Sequence, residues 1–409
     1  MQNHTQVVVI GGGYAGVMAA NRLSSRAEVT VTLLNPRPRF VDRIRLHQDV
    51  VGGLDAELDY ARVLNPHVRL HVGTATRIDA ADHRVALQDG STLDYDRLIY
   101  AVGSGSAAPR VPGAAEHALP FAGLEQARRL RAALHASPDA PVTVVGGGPT
   151  GIELASELAE TGRSVTLISG SLLGPSLHAR GRAAVARRLA ALGATVLQGD
   201  GAEAVTVGPD AVTLADGRSV PSGITVSTAG FGVPDLARRS GLTTDGAGRL
   251  LTDETLTSVD DPAIVATGDA ASPSGAPYRM SCQAAMQLGP QAAETVLSRI
   301  DGRPPRPVVA AFAGQCISLG RASGIFQISR RDDVVTPAVI RGRAGAALKA
   351  TICGSIRWEL GVEARRPGVL RWWLRDPARD RRISAEQDGA RHGMLDLREQ
   401  AAATTGGDA

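Results

Sequence analysis

Val7-Val8-Val9-Ile10-Gly11-Gly12-Gly13-Tyr14-Ala15-Gly16 and Val142-Thr143-Val144-Val145-Gly146-Gly147-Gly148-Pro149-Thr150-Gly151 are two copies of one pattern. In each, a short apolar run meets a G-x-G-x-x-G, and an alanine-rich helical stretch follows. This is how a strand, tight turn and helix open a dinucleotide-binding unit. The first glycine permits the turn, the second lets the backbone approach a pyrophosphate, and the third lets helix lie close on strand. The anion then rests against free N–H groups at the helix N-terminus. One such motif is weak evidence, because glycine-rich turns also occur without a ligand. Two, each between strand and helix, imply two dinucleotide sites.

The surroundings of the two motifs repeat as well. After the first come a helix (Val17 to Ser25), a strand (Val29 to Leu34), and short strands from 67 to 101 with a hairpin turn at Asp89-Gly90. The strand in Tyr95 to Val102 ends at Gly103-Ser104. Pro109, Pro112 and Gly113 mark a crossing, and Leu124, Ala127, Leu130 and Leu134 have a helical period. The second motif is followed by a helix (Gly151 to Thr161), a strand (Val165 to Ile168), a hairpin turn at Asp216-Gly217 and a strand (Ile224 to Ser227) ending at Ala229-Gly230. The repeat is a whole domain. Ile264-Val265-Ala266-Thr267-Gly268-Asp269 then reads as a strand ending in a glycine-aspartate turn, and the prolines of Gly302 to Pro307 mark another boundary. The remainder contains strand-like runs at Ile317 to Leu319 and Ile325 to Ile328, and a polar tail from about residue 384. The expected fold is α/β, with two Rossmann-like dinucleotide-binding domains and a smaller C-terminal α+β domain. Its segments are 1–115 and 237–305 for the first domain, 116–236 for the second, and 306–409 for the last.

Composition narrows the function. The chain of 409 residues is 43% hydrophobic and 21% charged, ordinary for a globular protein. Nearly every cation is arginine; Lys349 is the single lysine. A net charge of +3 is no argument for nucleic acid. From Arg299 to Arg382, however, seventeen basic residues face seven acidic ones, so this part suits an acidic partner, an anionic substrate, a membrane surface or only solvent. Cys282, Cys316 and Cys353 form no close pair in sequence, against a disulfide framework or zinc site; no metal is expected. No apolar run approaches the ~20 residues of a spanning helix. With a strand starting within six residues and no leader, the expected location is the cytoplasm.

The order of these motifs resembles the two-dinucleotide flavoprotein oxidoreductases, over roughly residues 5 to 330. Within them Gly147-Gly148-Pro149-Thr150-Gly151-Ile152-Glu153-Leu154-Ala155, Cys282-Gln283-Ala284-Ala285-Met286-Gln287-Leu288-Gly289 and Leu319-Gly320-Arg321 resemble the branch of type II NADH:quinone oxidoreductases and apoptosis-inducing-factor-like enzymes. The resemblance implies FAD in the first site and NADH or NADPH in the second, with Asp269 a second flavin contact. It departs from the branch at Cys282, usually alanine, and at Leu288, usually glutamine. Asn35 replaces the acid that ordinarily meets the adenosine ribose, although an amide can still bond it. Ser169 stands at the matching place of the second motif, and with Arg180 and Arg182 downstream NADPH is admissible.

Candidate cofactor-binding residues are therefore Gly11, Gly13, Tyr14, Ala15, Gly16, Asn35, Arg43, Arg45, Ala75, Gly103, Ser104, Gly268 and Asp269 for the flavin. For the nicotinamide they are Gly146, Gly148, Pro149, Thr150, Gly151, Ser169 and Gly230. Glu153, in the first turn of the second-motif helix, orients the nicotinamide or complements the helix dipole. Gln283 and Gln287, four apart, share a helical face and bond a carbonyl acceptor. Arg43, Arg45 and His47 face one side together in a strand and spread in a helix; His47 is a candidate proton donor. The disulfide members of the superfamily carry a cysteine pair in the helix after the first unit; the corresponding stretch, Phe40 to Val50, has no cysteine, so the resemblance implies that electrons leave the flavin without a thiol relay. The expected acceptor is a quinone or quinone-like small molecule; the alternatives are a specific metabolite of a biosynthetic route and an iron–sulfur redox protein. Trp358 and Arg371-Trp372-Trp373 suit an interfacial helix making peripheral membrane contact at the inner face of the membrane, or the packing of the last domain or of a homodimer.

Overall fold

Two five-stranded parallel sheets that share the order of four strands and differ in the chain position of one edge strand organise the molecule, in a computed structural model that describes residues 4–372 and 374–385. In the first sheet, Thr5–Ile10 is central. Val29–Asn35 and then Arg69–Val72 lie on one side, Arg97–Tyr100 and then Ile264–Ala266 on the other. In the second, Val142–Val145 is central, with Val165–Gly170 and Thr195–Gln198 on one side and Ile224–Ser227 and Ala118–Pro120 on the other. The registers correspond. Val9 faces Leu33 and Ile99, and Val144 faces Leu167 and Val226. Strands covered on both faces carry unbroken β-branched runs, as Val7-Val8-Val9 does. The chain leaves the first sheet, builds the second, and returns to the first through Ile264–Ala266.

Each unit also carries a three-stranded antiparallel flap: Ala75–Asp79, Arg84–Leu87 and Thr92–Asp94 in the first, Ala204–Val207, Ala211–Leu214 and Ser219–Pro221 in the second. The hairpin turns fall at Asp89-Gly90 and Asp216-Gly217, where the glycines adopt φ of +86° and +85°. Both turns were legible from the dipeptides alone.

Two stretches differ from their sequence reading. Arg43–Arg45 is a turn of 3-10 helix and Leu46–Val50 an α-helix, so Arg43, Arg45 and His47 diverge. Beyond residue 306, the strands Gly314–Ser318, Gly324–Ser329 and Val335–Arg341 are followed by a 24-residue helix, Gly342–Arg365, that no strand-like reading anticipates. Its buried stripe is Gly345, Lys349, Cys353, Ile356, Leu360 and Gly361. The spacing is helical, but glycine, lysine and cysteine do not register as an apolar face. The helix ends at Arg365, just before the restricted Arg366-Pro367 pair. Residues 366–372 are irregular, so the tryptophan-arginine stretch is no interfacial helix; Trp373 and the tail from 386 lie outside the described residues.

The first-motif helix, Tyr14–Leu23, is buried along all ten residues. It lies between the first sheet, the helix Cys282–Ile300 and the terminal helix Gly342–Arg365. Gly289 permits the contact: a Cβ there would stand 2.4 Å from the Ala15 carbonyl oxygen. Arg22 on the same helix is 7% exposed, bonding Glu363 at 2.5 Å, Glu294 at 2.8 Å and the Leu370 carbonyl at 2.7 Å. Because backbone and not a movable side chain opposes Gly289, Gly289→Val is expected to destabilise the protein by about 3 kcal/mol. A denaturant midpoint equal to wild type would show that the two helices can separate freely.

Candidate functional site

The two glycine loops share one geometry. Gly11 has φ of +108° and a Cβ there would meet the Ala101 carbonyl oxygen at 2.2 Å; at Gly16 it would meet the Gly11 oxygen at 1.8 Å. Gly146, with φ of +127°, and Gly151, whose Cβ would lie 1.9 Å from the Gly146 oxygen, repeat this. At Gly13 and Gly148 the same test finds nothing within 4 Å. Each open place adjoins a helix N-terminus with no side-chain cap and no acid in its first turn. Free N–H groups beside an open space fit a pyrophosphate. Tyr14 and Ala15 open the first helix, Pro149 and Thr150 the second.

Other expected contacts surround these loops. Asn35 is buried; its Oδ1 accepts the Gly12 N–H at 3.0 Å and its Nδ2 donates to the Arg37 carbonyl at 2.8 Å. It braces the glycine loop. Ser169, at the same point of the second unit, donates to the Leu197 carbonyl at 3.1 Å. Ser104 donates to Asp269 at 2.7 Å, and Asp269 also accepts the Ser281 N–H at 3.0 Å. Arg43 donates to the carbonyls of Ser104 and Ala122, at 2.8 and 2.9 Å. Gly103 and Gly230 adopt φ of +69° and +88°, and Ala75 pairs with Leu87 at the start of its flap.

The structure brings together four groups that are remote in sequence. The second-motif helix is Pro149–Glu160, so Glu153 falls beyond the first turn, not within it. Its carboxylate bonds Lys349 of the terminal helix, accepts the Ser318 N–H at 2.9 Å, and lies 3.6 Å from His47 Nδ1. Burial alone would push Glu153 up, but Lys349, helped by the Ser318 N–H, outweighs it and holds the carboxyl below its ordinary value. Burial likewise works against the Lys349 cation, and Glu153 reverses it, leaving the ammonium firmly protonated. The pair is ionised because each member is the other's counter-charge.

His47 behaves oppositely. Burial lowers it to about 4; Glu153 offsets part of this, while Lys349 and Arg45 add to it. It is therefore neutral at physiological pH, which corrects its reading as a proton donor. Its Nε2 has no partner among the described residues, leaving a buried polar atom for a bound group. Arg45 lies 3.4 Å from Asp42, which also accepts Tyr14 Oη and Arg357 Nε at 2.5 Å each.

The glutamines also require correction. Gln283 and Gln287 share a helical face, as their spacing implies, but that face meets residues 311–314. Gln287 donates to the Ala311 carbonyl at 2.8 Å and accepts its N–H at 3.0 Å. With its amide turned so that nitrogen faces the Gly314 carbonyl and oxygen the Ala313 N–H, Gln283 bonds both, each at 3.1 Å. These amides hold the approach to the last sheet instead of awaiting an acceptor. The three cysteines come within electrostatic reach of Lys349, yet burial pushes every thiol up, Cys353 to about 11. None is a thiolate nucleophile. Among the described residues no group of side chains could hold a metal ion.

Sequence reasoning missed Lys349, Asp42, Ser318 and Arg357. Only Lys349 carried a signal, as the single lysine among 44 basic residues. The buried histidine makes stability depend on pH. Unfolded histidine takes a proton near pH 6.5, whereas His47 resists one down to about 4. The associated stability is complete above pH 6.5 and is lost as pH falls to about 4, by up to about 3 kcal/mol. His47→Gln should flatten this part of the melting-temperature profile; an unchanged slope would place His47 in contact with water.

The model of the pyridine nucleotide-disulphide oxidoreductase family matches residues 5–289. An NADH dehydrogenase-like protein of Mycobacterium tuberculosis is 29% identical over 351 residues, covering 79% of this chain and 87% of that one. The type II NADH:quinone oxidoreductase of the same organism is 28% identical, covering 79% of each. Among solved structures, NDH2 of Plasmodium falciparum in complex with NADH shares the fold, with a TM-score of 0.73 at 15% identity over 91% of this chain and 99% of that one. With two open dinucleotide cradles in one chain and the family match spanning both, the chain belongs to the pyridine nucleotide-disulphide oxidoreductases, without their thiol relay in Phe40 to Val50.

Proposed function

We propose that the protein holds FAD in the first cradle, takes hydride from NADH or NADPH in the second, and passes the electrons to a quinone or quinone-like small molecule. The observation that carries this reading is the pair of cradles, each open only where a phosphate would lie. The flavin, when bound, supplies the centre that accepts a hydride and releases two electrons. The acceptor class is supported by the type II NADH:quinone oxidoreductase likeness. It is supported too by the absence of cysteine from Phe40 to Val50 and by burial, which keeps all three thiols protonated.

The chain's own residues then divide the work. Backbone N–H groups at the two helix starts bind pyrophosphate, and Asp269 with Ser104 fixes the far end of the flavin site. Glu153 orients the nicotinamide. Lys349, held charged by Glu153, is the cation that polarises an acceptor carbonyl and steadies the developing oxyanion. Neutral His47 offers Nε2 as a hydrogen-bond partner, not a proton. Ser169 presents no carboxylate to repel a 2′-phosphate, so both nicotinamides enter the test. No described helix is long and apolar enough to cross a membrane. Trp358, Val369 and Trp372 are exposed near Arg365, Arg366 and Arg371, and this is the face on which a peripheral membrane contact would form.

The test is to mix purified protein anaerobically with NADH, then NADPH, follow the flavin absorbance, and add a soluble quinone. Rapid bleaching and rapid recovery are expected; bleaching without recovery would move the acceptor to a protein or a specialised metabolite. Gly13→Val should fold, since nothing opposes its side chain, but should purify without FAD. A yellow variant would be incompatible with the cradle. Glu153→Ala should slow flavin reduction by about 10- to 100-fold with FAD retained; unchanged kinetics would leave Glu153 only its structural bond to Lys349.

A further inference from the structure

Arg379 belongs neither to the glycine loops nor to the charged centre, yet it is buried, at 7% exposure. It opens the helical residues 379–385 of a C-terminal arm that follows the terminal helix. The arm is anchored beside it. The Asp376 N–H donates to the Val309 carbonyl at 3.0 Å, and the Arg375 carbonyl accepts from Arg331 at 3.3 Å. Burying an arginine is costly unless its charge and its N–H groups are met.

The partners that meet them all lie between residues 254 and 278. Arg379 Nε and Nη2 donate to the two oxygens of Glu254, at 2.9 and 3.3 Å. Nη2 also donates to the Ala276 carbonyl at 2.7 Å and reaches the Pro273 carbonyl at 3.4 Å. The guanidinium lies over the Tyr278 ring, 4.2 Å from its centroid.

Two of those contacts, at Ala276 and Tyr278, fall on the loop 274–281, which joins the strand Ala271–Pro273 to the helix Cys282–Ile300. From Tyr278 to Met280 no main-chain N–H of the loop bonds other main chain among the described residues, so side chains set its path. Tyr278 meets Phe312, with ring centroids 6.2 Å apart. The loop's own Arg279 lies 4.7 Å over the Phe312 ring and pairs with Asp333 at 2.5 and 3.0 Å. At the end of the loop the Ser281 hydroxyl donates to the Arg279 carbonyl at 3.2 Å, and the Ser281 N–H donates to Asp269 at 3.0 Å. The other oxygen of Asp269 accepts from Ser104 at 2.7 Å. The carboxylate at the far end of the flavin site thus takes one bond from the loop that Arg379 grips.

We propose that Arg379 is a positioning residue of the flavin site. It holds the loop 274–281 so that the Ser281 N–H meets Asp269, and thereby fixes the direction in which that carboxylate faces FAD. The inference rests on FAD occupying the first cradle. Arg379 touches neither Asp269 nor the glycine loop, and acts only through the intervening backbone. The arm near the end of the chain becomes a condition for retaining a cofactor whose glycine motif lies near its beginning.

The experiment uses the full chain and compares wild type with Arg379→Ala, Arg379→Lys and Glu254→Gln. FAD is titrated into each apoprotein, NADH affinity is measured on the same preparations, and hydrogen exchange over residues 274–281 is followed by mass spectrometry. Arg379→Ala should weaken FAD binding about 10- to 100-fold, the loss expected for one hydrogen bond to a charged group. It should also speed exchange of the loop amides and leave NADH affinity as in wild type. Arg379→Lys should recover part of the FAD affinity. Glu254→Gln, which keeps the arm but weakens the anchor of the arginine, should shift it in the same direction as Arg379→Ala, by less. Wild-type FAD affinity in Arg379→Ala, equal losses of FAD and NADH, or unchanged loop exchange would overturn the assignment. Should Arg379→Ala fail to fold, Glu254→Gln decides: FAD affinity and loop exchange equal to wild type overturn it. A wild type that binds no FAD overturns the flavin reading itself, whereas undiminished FAD binding in Arg379→Ala overturns this inference alone.

Discussion

The bond between Lys349 and Glu153 is the interaction around which the molecule is arranged. It joins the terminal helix to the helix of the second glycine motif, inside the protein, where each ion alone would cost several kcal/mol to bury. Neither partner can be neutralised without stranding the other. The pair therefore fixes a positive and a negative charge at one place. His47, from the first unit, meets that place already supplied with a cation, and for this reason as well as burial it stays neutral. Ser318 brings the last sheet to the same carboxylate through a main-chain N–H, which no substitution at that position except proline removes.

The terminal helix is keyed to the rest of the fold charge by charge. Lys349 meets Glu153, Arg357 meets Asp42, and Glu363 meets Arg22, so three ion pairs reach three different parts of the chain. Buried pairs of this kind add little net stability compared with apolar packing, but a shift in the helix's register would strand charges. The Asp42 contact also reaches into the first motif, since Tyr14 donates to the same carboxylate. The element added after the repeat is thereby bonded to both repeats.

Within the repeats, duplicated backbone geometry coexists with divergent side chains. Gly11 and Gly146, Gly13 and Gly148, and Gly16 and Gly151 are interchangeable in conformation, because the turn and the close approach of helix to strand demand it. Asn35 and Ser169, at the ends of the matching strands, instead make different bonds, one inside the glycine loop and one to the neighbouring strand. The cradle is a property of the backbone; discrimination between cofactors belongs to the side chains at its rim.

Much of this was determined by the sequence alone. The glycine motifs, the Asp-Gly hairpins and the unbroken valine runs act over a few residues, so they announced both sheets, both flaps and the doubled dinucleotide architecture. The candidate site was legible where it is equally local, in the glycine loops; Glu153, Ser104 and Asp269 were singled out, but not what they touch. What the glutamines face, the charge state of His47, and the meeting of Glu153 with Lys349 and Ser318 were decided by tertiary structure. The meeting of Glu153 with Lys349 and Ser318 joins residues more than a hundred positions apart, the glutamines find partners 24 or more positions away, and burial turns an ordinary histidine neutral. The terminal helix lay between the two cases: its period was present, but its buried stripe is made of glycine, lysine and cysteine, and only the partners across the interface reveal why such residues lie inside.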